Sequence, residues 1–88
     1  MPATAQENRI RLSQSAMLDL HAMGIPSEKA VPCMEEAILR SGKRKPISEA
    51  QGITEAKIEF ESGRYLGLLY IDEPDHTYLV ARVYWTRL

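Results

Sequence analysis

Eighty-eight residues with a net charge of −1 suit one small domain, a thin core of sheet plus helices. The balance of 11 Lys and Arg against 12 Asp and Glu argues against a binder that relies on bulk positive charge. The single cysteine, Cys33, excludes an intramolecular disulfide and a cysteine-rich zinc site. No apolar run approaches the roughly 18 residues of a membrane span, and there is no signal-peptide core, so the expectation is a reduced, cytoplasmic setting without membrane contact.

Residues 1–8 are small and polar and are expected to form a flexible arm, leaving 9–88 as a single α+β domain. Arg9 to Ser13 alternates charged and apolar residues, which predicts a short strand. Ser13 suits an N-cap for a first helix, with Ala16, Met17, Leu20 and Met23 as its apolar stripe and Gly24 as its stop. Ser27 is the expected cap of a second helix, with Glu28 in its first turn and Ala30, Val31, Met34, Ala37 and Ile38 on its buried face. That helix is predicted to end near Gly42 and to bend or begin irregularly at Pro32.

Lys43 to Ile53, with Pro46 and Gly52, reads as a long loop. Ala56, Ile58 and Phe60 then alternate with charged residues, predicting a strand with one wet face. Ser62-Gly63 predicts a hairpin turn, Tyr65 to Ile71 a central strand covered on both sides, and Glu73 to His76 a second turn. In the last strand, Thr77 to Thr86, strict alternation puts Leu79, Ala81, Val83 and Trp85 on one face. Tyr78, Val80, Arg82, Tyr84 and Thr86 fall on the other. The expected fold is a short N-terminal strand, two helices and a three-stranded antiparallel meander, the helices packed on one sheet face.

No catalytic motif is present: there is no phosphate-cradling glycine loop, nucleophile elbow or metal-binding histidine pair. His21, His76 and Cys33 read as structural, and neither a cofactor nor a metal is expected. What remains is charge in the right company. Arg40, Lys43, Arg44 and Lys45 form a basic knuckle, and an acidic strand follows it from Glu49 to Glu61. Arg64 and Arg82, with Tyr78 and Tyr84, add further cations and aromatic faces, the combination that holds phosphates and stacks on unpaired bases. These eight residues are the candidate binding surface for RNA or an acidic protein. Plain solvated surface is the bland alternative.

Leu12-Ser13-Gln14-Ser15-Ala16 and Met23-Gly24-Ile25, with the order of elements, resemble the small RelE-like ribonuclease toxins that open on a His-Ala … Arg-Gly-Ile signature. The likeness is close over Ile10 to Val31 and loose beyond it. It implies the same α+β fold, but Ser15 stands where the signature has histidine and Met23 where it has arginine. Serine does not titrate near neutral pH and methionine cannot hold phosphate, so this version of the nuclease site is lost. The reading that follows is a non-catalytic binding or inhibitor-type protein. It acts on a protein complex or RNA, in the manner of phage, immunity or toxin–antitoxin proteins. An active endoribonuclease would have to use Lys45, Arg64, Arg82 and Tyr84 instead. The first 45 residues are also similar to ribbon–helix–helix DNA-binding regulators, in which Arg9 and Arg11 would read the major groove.

Overall fold

A computed structural model describes residues 9–87. The arm expected over residues 1–8 lies outside the described residues. Seven elements follow in order: β1 (Ile10–Leu12), α1 (Gln14–Met23), α2 (Ser27–Leu39), β2 (Lys43–Ser48), β3 (Ile53–Glu61), β4 (Arg64–Asp72) and β5 (Tyr78–Thr86). The α+β class holds, with a larger sheet than expected. Its order is β1-β5-β4-β3-β2, with β1 parallel to β5 and every other pair antiparallel.

The segment after α2 is therefore a strand and not a loop. Every residue from Lys43 to Ile47 is exposed, and an edge strand tolerates both charge and a proline, so β2 carries none of the alternation that marks a half-buried strand. The meander consequently has four strands, β2 to β5.

Ser13 joins the first strand to the first helix. Its hydroxyl accepts from the Ala16 amide at 3.0 Å, as an N-cap does, and donates to the Ala81 carbonyl at 2.8 Å. Gly24 ends α1 in the left-handed region at φ 75°, where residues with a side chain are strained. Of the predicted stripe, Ala16 and Leu20 are buried and Met23 packs against the core, but Met17 is 51% exposed. α2 starts at Ser27 itself, one residue earlier than a cap there would have it. Pro26 precedes it, Ser27 is already helical and makes no cap, and Pro32 sits inside a helix that runs unbroken to Leu39. The hydrogen bond Pro32 omits belongs to the carbonyl of exposed Glu28, where water can replace it.

Both helices bury their stripes against one sheet face, formed by Ala56, Leu66, Leu68, Tyr70, Val80 and Val83. Met34, Leu66, Leu68 and Val80 are fully buried. The opposite face carries Tyr65, Leu69, Ile71, Leu79 and Tyr84, all partly exposed, so β4 is covered on one side only. Its apolar run reflects a central position more than two packed layers.

One irregularity rearranges β5. Leu69 pairs with Arg82 and the next residue, Tyr70, pairs with Val80, which leaves Ala81 as an extra residue. Strict alternation fails there. Tyr78 and Val80 join Val83 and Trp85 on the helix side, while Leu79 joins Arg82, Tyr84 and Thr86 on the open side.

Beyond the reach of β1, α1 takes over the edge of β5. Asp19 accepts from Arg82 through Nε at 2.8 Å and Nη2 at 3.0 Å, and from the Val83 amide at 2.9 Å. The Arg82 guanidinium and the Val83 amide hold its carboxyl below the usual aspartate range. A group stabilised in its charged form contributes above its ordinary pKa and loses that contribution as pH falls through the lower folded value. Asp19→Asn is therefore expected to cost about 1–2 kcal/mol near neutrality, chiefly through the weakened bond to Val83. The gap between the two proteins should narrow as pH falls below about 4, as read by urea unfolding at a series of pH values.

Candidate functional site

Register across the meander decides which cations meet. Lys43 lies directly opposite Lys57, and Lys45 opposite Glu55, on the sheet face turned away from the helices. Side chains directly opposite on antiparallel strands have Cβ atoms about 5 Å apart, and like charges in that position are destabilising. Lys43 and Lys57 nonetheless share it. None of Lys43, Lys45 and Lys57 has a carboxylate within ion-pairing distance among the described residues, whereas Arg11, Arg40, Arg64 and Arg82 each have one.

The three lysines line a furrow along β2 and β3. One hollow of about 210 Å³ is walled by Lys43, Arg44, Lys45, Glu55 and Lys57. A second, of about 310 Å³, shares Lys43 and Lys57 and is completed by Ser41, Ile58, Glu59 and Tyr65. The Lys57 ammonium is anchored on the Arg87 carbonyl at 3.1 Å.

Tyr84 braces the furrow's Glu55 from β5. Its ring lies across β4 above Gly67, and its hydroxyl donates to the Glu55 carboxylate on β3. Glycine is required beneath it, since a Cβ at position 67 would overlap the ring. Burial, and then the bond to Glu55, pushes the phenol above its ordinary pKa, so it stays protonated and a donor. Gly67→Ala is expected to displace the ring and destabilise the fold by about 1–3 kcal/mol. The same change in a Tyr84→Ala background should cost less, with only the Thr86 methyl, 3.1 Å from the added carbon, left to give, a non-additivity that a double-mutant cycle of urea unfolding will read.

The eight predicted binding residues do not form one surface. Lys43, Lys45 and Tyr84 come together around Glu55. Arg82 is on the same open face but at its far edge, tied to Asp19. The other four lie on the helix side. Arg40 pairs with Glu36 at 2.9 Å, and Arg44 donates to the Ile38 carbonyl at the end of α2. Arg64 pairs with Glu61 at 3.0 Å and stacks 3.9 Å above the Trp85 ring. Tyr78 packs edge-on against Tyr70, with ring centroids 5.8 Å apart. The extra residue Ala81 is the reason that Tyr78 and Tyr84 part company.

The set named for a nuclease divides in the same way, with Lys45 lining the furrow, Tyr84 bonded to its Glu55, and Arg64 and Arg82 outside it. Arg9 is exposed, and Arg11 pairs with Glu73 at 3.0 Å. Met23 packs on the core where the signature has arginine, and Ser15 is exposed on α1. Lys57, Glu55, Tyr65 and Gly67 are the site residues that the sequence alone did not single out.

No family model matches the chain. No curated protein matches it, and neither does any solved structure. Among the described residues, no helix is long and apolar enough to cross a membrane.

Proposed function

We propose that the chain is a non-catalytic binder of single-stranded RNA, built on a RelE-like frame whose signature catalytic positions are vacated. The observation that carries this reading is the pair Lys43 and Lys57, set opposite each other with Lys45 beside them and, among the described residues, no carboxylate pairing any of the three. Such an arrangement costs the fold stability, and a run of phosphates laid along the furrow relieves it.

Tyr65 lines the same furrow and offers a face for an unpaired base. Glu55 is placed to accept a hydrogen bond from a ribose 2′-hydroxyl, the group that distinguishes RNA from DNA. A cytoplasmic location belongs to this reading, since that is where such a ligand is met. RNA is favoured over an acidic protein because the furrow combines separated point charges with an aromatic platform.

The test is fluorescence anisotropy with a labelled RNA of about 12 nucleotides, compared with its duplex and with the DNA of the same sequence. The expected result is binding of the single-stranded RNA ahead of both, with the RNA recovered intact. Absence of single-strand binding at low salt overturns the proposal. Shortened RNA transfers the site to an endoribonuclease.

A further inference from the structure

A second surface lies at the edge of the sheet remote from the lysine furrow. Beside β1, a hollow of about 310 Å³ is lined by Leu12, Met17, Leu20, His21, Ile25 and Pro26. Its outer wall is α1, where Met17 is 51% and Leu18 62% exposed, two of the three exposed large hydrophobic residues in the described chain. The exposed residues of α1 are Gln14, Ser15, Met17, Leu18, His21 and Ala22. None carries a carboxylate, ammonium or guanidinium group, and Asp19 is held by Arg82 and Val83.

β1 adds an open backbone edge to this neutral face. The Arg9 carbonyl accepts from the Tyr78 amide at 2.7 Å, and the Ser13 amide donates to the Val80 carbonyl at 3.0 Å. Backbone groups alternate in direction along a strand, so Arg9, Arg11 and Ser13 address β5 while the N–H and C=O groups of Ile10 and Leu12 point the other way. No described strand lies on that side. Arg11, the one charged residue of β1, is neutralised by Glu73.

We propose that a second copy of this chain covers this surface, in a two-fold dimer that joins β1 to its counterpart and packs the α1 faces together. Charge selects the occupant. A two-fold contact presents the same patch from both copies, residue i meeting j and j meeting i, and groups near the axis meet their own images, so a patch that carries charge of one sign repels its copy. The α1 face has none to oppose. An exposed strand edge is likewise its own complement when paired antiparallel with a copy. In such a dimer one sheet runs through both copies and the two lysine furrows lie at its outer ends, open to ligand.

Sedimentation velocity of the full chain without RNA tests the dimer independently of the RNA reading. The wild type is expected to sediment at twice the mass of the chain at micromolar concentrations. The double variant Met17→Glu/Leu18→Glu should run as a monomer with unchanged circular dichroism, since both side chains are already in water. Lys43→Glu/Lys45→Glu, at the opposite edge, should remain dimeric. A wild type that is monomeric throughout overturns the proposal, as does a dimer that survives the α1 substitutions or is lost with those on β2.

Discussion

Reversing the charge at Lys43, Lys45 and Lys57 together is expected to weaken single-stranded RNA binding on the order of a hundred-fold or more at low salt. Each lysine that meets a phosphate releases a counterion, and each glutamate put in its place repels the same phosphate. The single change Lys43→Glu separates a binding role from a structural one. It replaces a like-charge pair across β2 and β3 with an opposite-charge pair facing Lys57, so it should raise stability by about 0.2–1 kcal/mol while lowering affinity. A side chain retained for the fold would lose both together. Urea unfolding and anisotropy on the same preparation read the two quantities.

The second large effect is at Met34. It is fully buried, on the α2 face that packs against the sheet. Truncation to alanine removes buried methylene and thioether groups and leaves a space that the surrounding core fills only in part. The expected cost is about 3 kcal/mol, a large share of the stability of a domain this size. In thermal unfolding it should appear as a fall in Tm of roughly 12–24 °C. Ile47→Ala, at a 51% exposed position on β2, should change stability by less than about 0.5 kcal/mol. A small loss at Met34 would mean that α2 is held by something other than this contact.

The elements that bury a regular stripe were legible in the sequence. The Ser13 cap, the Gly24 stop, the α2 stripe and the alternation of β3 each follow from local chemistry, and each is present. What stayed hidden depends on partners far along the chain. β2 lacks a periodic signal because it is an exposed edge, so residues 43–48 look like a loop until β3 is beside them. The extra residue at Ala81 cannot be seen in β5 alone, yet it moves Tyr78 to the helix side and leaves Tyr84 on the open one.

The candidate site was half visible for the same reason. Lys43 and Lys45 stand out in a run of basic residues, whereas Lys57 sits among glutamates and becomes part of the furrow only through its register with Lys43. The arginines drew attention by chemical type. Arg40, Arg64 and Arg82 each prove to be paired with a carboxylate, a fact no local pattern encodes.

On the function proposed above, the β2–β3 furrow takes an RNA backbone through Lys43, Lys45 and Lys57. The most direct measurement is the salt dependence of RNA binding in the wild type and in the triple lysine-to-glutamate variant. Three phosphate contacts on a single strand predict a slope of about −2 for log K against log salt in the wild type. The variant, where any binding remains, should give a slope near zero. A wild-type slope near zero, or the same steep slope in both proteins, would rule out the furrow as the RNA site.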